Sequence, residues 1–245
     1  MDILYVLGKG SRWDNNELRY SLRSIEKFGK NVSNIYLIGE DPGFLSNNVN
    51  FIPFVDFYAI KHKNILNNIC EAVKRSNIDD EFLLSSDDHF YVKETDFDNY
   101  PIYCKGNLPK SYKLHNRLKG YKESLIDTRK LLLSHKCPTY NFSFHGNTHI
   151  TREAITLAKD IIEESYNTQR GCEPTALLLN VLYAHKPFDF INRKDLKIRD
   201  DIKCKENIPK VIGDREVFSI ADSAIDKGVA EFLQELFPNK SKYEL

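Results

Sequence analysis

The sequence has no paired cysteines. Its five, Cys70, Cys104, Cys137, Cys172 and Cys204, are far apart and odd in number, and none forms a CxxC pair. This argues against a disulfide framework and a zinc knuckle and points to a reducing compartment. Nor is there an excess of charge. Lysine plus arginine and aspartate plus glutamate each total 35 of 245 residues, so no global field draws the chain to nucleic acid or membrane. Long apolar runs are absent too. The amino-terminal MDILYVLGKG is too short for a signal peptide or a span, and no later segment reaches membrane length. There is no internal repeat and no low-complexity linker. The expectation is a cytoplasmic protein of one domain, residues 1–245.

Residues 81–92, EFLLSSDDHFYV, carry the strongest chemical signal. Phe82-Leu83-Leu84 reads as a buried strand. It stops at two serines and two adjacent acids, Asp87 and Asp88, before His89 and a second apolar run. Two carboxylates at the rim of a sheet repel each other and are costly to bury. A cation belongs between them, and hard oxygen ligands favour a divalent metal. If the strand continues, His89 faces away from Asp88.

Asp2–Leu7 predicts a first strand, running into Gly8-Lys9-Gly10-Ser11-Arg12-Trp13. Asp14 with Glu17 has the form of a capping box, and Leu18, Leu22 and Ile25 recur at helical spacing. Strand, glycine-rich loop and helix start, in that order, let backbone approach an anion, with Lys9, Arg12 and Arg19 adding charge. The spacing is neither a Walker nor a dinucleotide fingerprint, and an ordinary turn with solvated cations is the plainer reading. Residues 34–39 and 51–55 predict further strands. Lys61-His62-Lys63 precede a helix with Ile65, Ile69, Ala72 and Val73 on one face. Four alternations of strand and helix predict an α/β fold with a mostly parallel central sheet flanked by helices. Ligands of such sheets sit outside the carboxyl ends of strands, where the 8–12 loop, Asp41, Asp56 and Asp87-Asp88 all fall.

Downstream, residues 104–136 hold nine basic side chains, among them Lys105, Lys113, Arg117 and Lys119, against only Glu123 and Asp127. A solvated basic face is the plain reading, and a surface for a polyanionic acceptor the sharper one. Residues 140–150 alternate like a strand and carry His145 and His149, one or both facing the cleft as metal ligand or phosphate contact. Thr151 caps the next helix. Glu173-Pro174 opens another, and Glu173 serves either the helix dipole or catalysis as a base. A last helix is expected over about 225–237.

Residues 16–25, NELRYSLRSI, the strand at 35–38 and a strand ending in Ser86-Asp87-Asp88 resemble the Stealth-type sugar-phosphate transferases. More closely, they resemble small GT-A-like glycosyltransferases of phages and bacteria. The resemblance covers residues 1–92. It implies a GT-A-like (Rossmann-like) fold with a more helical C-terminal part. Residues 1–92 would form the nucleotide-sugar-binding half and 93–245 the acceptor-binding half. In such enzymes a metal-binding motif follows a central strand; here Asp87 and Asp88 would hold Mn2+ or Mg2+, with His145 as the downstream ligand. Gly8, Lys9, Gly10, Arg12, Arg19, Lys61, Lys63 and Asp87 would surround the donor diphosphate. Asp88, through the metal, and Glu173, as base, would be catalytic. Lys113, Arg117, Lys119 and His149 would meet the acceptor. The basic run favours a hydroxymethylated base in phage DNA as acceptor, and the neutral overall charge favours a glycan or lipid-linked sugar. Three other readings stand beside these: a sugar-phosphate transferase, a non-catalytic nucleotide- or nucleic-acid-binding module, and a metal-dependent phosphotransferase or nuclease.

Overall fold

The computed structural model describes residues 1–111, 119–202 and 204–245. The first part runs β1 (Asp2–Leu7), α1 (Asn16–Phe28), β2 (Gly29–Lys30), β3 (Ile35–Gly39), β4 (Val49–Pro53), α2 (Lys61–Arg75), β5 (Glu81–Ser85), β6 (His89–Tyr91), β7 (Thr95–Asp96) and β8 (Tyr103–Cys104). There follow α3 (Lys119–Ser134), β9 (Thr148–Thr151), α4 (Arg152–Leu157), α5 (Lys159–Ser165), α6 (Pro174–His185), β10 (Ile191–Asn192), β11 (Lys197–Ile198), α7 (Ile208–Ile212), β12 (Val217–Ile220) and α8 (Val229–Leu236). Strands β4, β3, β1 and β5 lie side by side and parallel, and β9 adds antiparallel to β5.

Strands covered on both faces are apolar at every position, and alternation sorts their side chains into two layers. Ile3, Tyr5 and Leu7 of β1 pack with Leu18, Leu22 and Ile25 of α1. Leu4 and Val6 point the other way, to Leu66, Ile69 and Ala72 of α2. So α1 and α2 cover opposite faces. The β1–α1–β3 connection moves one way along the sheet, and the β4–α2–β5 connection passes back to the other side of β1. The carboxyl ends of β1 and β5 therefore flank the point where the winding reverses, which is where open α/β sheets leave a crevice. A third layer packs Phe90, Phe218, Ile220 and Leu233 between a small sheet of β11, β12 and β6 and the helices α7 and α8. The two halves are interlaced: β9 completes the main sheet and β6 pairs with β12. No helix among the described residues is long and apolar enough to cross a membrane.

Several boundaries differ from the sequence pattern. The strand expected over 140–150 forms only at β9, because the Asn180 side chain pairs with both the N–H and the carbonyl of Tyr140, each at 2.8 Å. The last helix starts at Val229, after a 3-10 turn over Asp222–Lys227. The capping box does not form. Asp14 and Asn15 have φ of 51° and 55°, left-handed values that these residue types tolerate. The hydroxyl of Ser11 instead accepts the N–H groups of Trp13 and Asn15 and donates to Glu17 at 2.9 Å. Thr151 caps α4 as expected, accepting the Ala154 N–H at 3.0 Å.

The carboxyl-terminal tail is docked by charge. Glu244, fully buried, accepts from Arg23 Nε and Nη2 at 2.7 Å each and from Arg19 at 3.2 Å. Burial pushes its carboxyl up, but the Arg23 hydrogen bonds outweigh this and hold it down at about 2. A depressed carboxyl stabilises the fold above the unfolded carboxylate range and loses that contribution as pH falls towards 2. Glu244→Gln is expected to cost about 3 kcal/mol at neutral pH, because it leaves Arg23 buried without its charge partner. In urea unfolding the difference from wild type should narrow in acid.

Candidate functional site

The acidic pair sits in a tight turn at the carboxyl end of β5. His89 N–H donates to the Ser86 carbonyl at 3.2 Å, and Ser86 N–H donates to His89 Nδ1 at 3.3 Å. The chain turns here rather than continuing extended, so His89 is not carried away from Asp88; its Nε2 lies 3.8 Å from Asp88 Oδ1. Burial lowers the His89 imidazole to about 4, which leaves it neutral at neutral pH.

The two acids have opposite environments. Asp88 accepts an ion pair from Lys197 Nζ at 2.8 Å. Burial pushes its carboxyl up, but Lys197 and then His89 and His145 prevail and hold it well below the usual range. Among the described residues Asp87 has one hydrogen-bond partner, the Ser86 hydroxyl at 3.2 Å, and no ion pair. Burial and then the charge on Asp88 raise its carboxyl, and Lys61 opposes them. The cation expected between the acids is thus supplied at Asp88 by an ammonium, while Asp87 is left without one. Buried Glu17, at the start of α1, is raised by burial and feels Asp88 across the crevice.

Lys197 belongs to a short segment that reaches the site twice. Two residues earlier, Asp195 accepts from Lys105 Nζ at 2.8 Å, from the His145 N–H at 3.1 Å and from the His145 ring at Nδ1. Burial pushes Asp195 up, but His145 and Lys105 outweigh it and hold the carboxylate ionised. Pattern reading missed Asp195, Lys197 and the role of Lys105. Strands of two residues, β10 and β11, are too short to show periodicity, and these partners are 50 to 109 residues apart in the chain.

The other expected residues divide. Gly8 lies against Asp56, where an added Cβ would stand 3.3 Å from Oδ2. Gly10 has φ +132° with open space around it, a conformation that only glycine adopts freely. Lys9 and Arg12 are exposed and pair loosely with Glu40 at 3.3 Å and Asp222 at 4.0 Å, so little holds them from an anion. Lys61 opens α2 and reaches Asp87 electrostatically. Lys63 lies with its stem beside Gly171.

Three of the expected residues are engaged elsewhere. Arg19 is diverted to Glu244 and lies 3.8 Å over the Phe44 ring, so the tail takes its charge. His149 pairs with Leu83, back from the rim, and both ring nitrogens are engaged, by Glu81 at 2.8 Å and the Tyr100 carbonyl at 2.5 Å. Glu173 is a buried N-cap whose Oε2 accepts the Ala176 N–H at 2.6 Å and the Thr175 hydroxyl at 2.8 Å, a structural role at the start of α6. Lys113 and Arg117 lie outside the described residues, as does the side chain of Lys119.

The acids should have opposite effects on stability. The raised Asp87 carboxyl opposes folding when ionised, and the penalty is absent once it is protonated. Asp87→Asn should therefore stabilise the protein by about 1 kcal/mol at neutral pH, a gain that vanishes as pH falls below about 4. Lys197→Met should destabilise by about 2 kcal/mol, because Asp88 loses its counter-charge. Denaturant titrations at two pH values check both. No family model matches the chain, and no curated protein does either.

Proposed function

We propose that the protein is a metal-dependent glycosyltransferase that moves a sugar from a nucleotide-sugar donor to an acceptor hydroxyl. The observation that carries this is Asp87, a carboxylate with no ion pair among the described residues, at the rim of β5 beside the 8–13 loop where the winding reverses. Paired hard oxygens suit Mg2+ or Mn2+. Among the described residues no three His, Cys, Asp or Glu side chains form a ready metal cage. A magnesium ion that works on phosphates takes only one or two carboxylates and completes its shell with substrate oxygens and water. The donor set fits that pattern, with Asp87 as the free ligand and Asp88 shared with Lys197. When bound, the ion would neutralise charge on the departing diphosphate.

The chain's own groups account for the rest of donor binding. Glu17, Asp87 and Asp88 make the crevice acidic, so a diphosphate needs cations to enter it. Lys197 supplies one inside, and Lys9, Arg12 and Lys61 supply charge around the rim. The open conformation at Gly10 lets backbone approach a phosphate. For the acceptor, a hydroxymethylated base in duplex DNA is proposed from the basic run at 104–136, with a glycan or lipid-linked sugar as the other candidate.

Nucleotide release from a panel of nucleotide sugars, with Mn2+, Mg2+ or EDTA, tests the reading. Release that requires metal with at least one donor is expected, and Asp87→Asn should lower it at least about 100-fold while the protein stays folded. Affinity for nucleoside diphosphates without turnover would identify a binding module instead. A panel with neither binding nor release would end the proposal. Faster transfer to hydroxymethylated than to plain duplex is expected; equal indifference to both would remove DNA as acceptor.

A further inference from the structure

His145 is held by a carboxylate that fixes which of its ring nitrogens is free. One carboxylate, Asp195, accepts both its backbone N–H, at 3.1 Å, and its ring at Nδ1. Lys105 donates to the same oxygen, Oδ2, at 2.8 Å and fixes that carboxylate from the other side. An ionised carboxylate only accepts, so a neutral His145 carries its proton on Nδ1 and its lone pair on Nε2. No described residue hydrogen-bonds Nε2, and the side chain is 24% exposed. The chain at His145 lies near the acidic pair. Strand β9 begins beside the end of β5, with Leu84 opposite Thr148, so the residues just before β9 run alongside the turn that carries Asp87 and Asp88. Asp88 and His89 lie within electrostatic reach of the His145 ring. The charged or titratable groups facing it are Asp195, Lys105, Asp88, His89 and Lys197.

We propose that His145 is the general base that deprotonates the acceptor, with Asp195 as its positioning residue. The inference rests on the transferase reading. Nε2 takes the proton of the acceptor hydroxyl as that oxygen bonds to the anomeric carbon. The bond from this carbon to the diphosphate oxygen breaks, and its electron pair leaves with the nucleotide. The new imidazolium is stabilised by Asp195, which stays ionised, as in other carboxylate–histidine pairs. Glu173, the residue expected to serve as base, has its Oε2 engaged in capping α6. A divalent ion bound at Nε2 would be the competing use of the same lone pair.

Two measurements decide between these. In histidine-labelled protein, long-range proton–nitrogen NMR at neutral pH reads the tautomer of His145, identified among the seven histidines by its loss in His145→Gln. The Nδ1–H form is expected, and Asp195→Asn should convert it to a mixture. An Nε2–H form in the wild type overturns the assignment whatever the donor panel shows. In parallel, nucleotide release to water is followed against pH, with calorimetric affinity for Mn2+ plus nucleoside diphosphate. His145→Gln should slow release about 100-fold and remove the acid limb of the pH profile, while affinity changes less than about twofold. Asp195→Asn should slow release about tenfold and move that limb to lower pH, and Asp195→Glu should restore part of both. Lost Mn2+ affinity in His145→Gln would make it a metal ligand, and unchanged release would make it structural; either overturns the proposal. Wild type silent with every donor, with Nδ1–H observed, would sink the transferase reading alone and keep the oriented proton acceptor.

Discussion

A strand buried on both faces can carry charge only at its ends. β1, β3 and β5 are such strands, covered by α1 on one side and α2 on the other. Polar groups are expelled to the rims, where water, ligands or opposite charges can satisfy them. At the carboxyl rim the winding reversal between β1 and β5 opens a crevice, and Asp87 and Asp88 come at that point in the chain. The electrostatics around it follow from the need to neutralise two adjacent carboxylates with few neighbours.

The neutralisation is unequal. Lys197 pairs with Asp88, and no described cation forms an ion pair with Asp87. The asymmetry turns a repelling pair into one settled acid and one acid that still wants a cation. The same two-residue step in the chain puts Asp195 behind His145. A short piece of poorly patterned chain thereby sets both halves of the proposed chemistry, the charge for the donor and the orientation of the base. The glutamate at the other end of the tertiary network, Glu244, has no such chemistry. It pairs with Arg19, one of the residues expected at the donor, and with Arg23, and so docks the tail.

Where side-chain period and local caps govern, the residues alone were legible. Ile3, Tyr5 and Leu7 against Leu4 and Val6, and Leu18, Leu22 and Ile25 along α1, are short-range patterns that any buried strand or amphipathic helix must show. Thr151 and Glu173 as caps belong to the same class, since an N-cap acts on a backbone N–H two or three residues away. For Glu173 the local role is the one its hydrogen bonds show. The capping box at Asp14 failed where a competing hydroxyl, Ser11, reached the same end of the helix from outside it.

The sequence by itself determined the mostly parallel α/β sheet, its two covering helices and the presence of an acidic pair at a strand end. Those depend on period and on neighbours within a few positions. Only the tertiary structure decided which acid is free, which histidine keeps a usable nitrogen and which arginine is lost to the tail. Each of those outcomes rests on a charged group brought from tens to hundreds of residues away: Lys197 to Asp88, Asp195 to His145, Glu244 to Arg19. A charge has no period and pairs with whatever the fold brings near it, so its partner cannot be read along the chain.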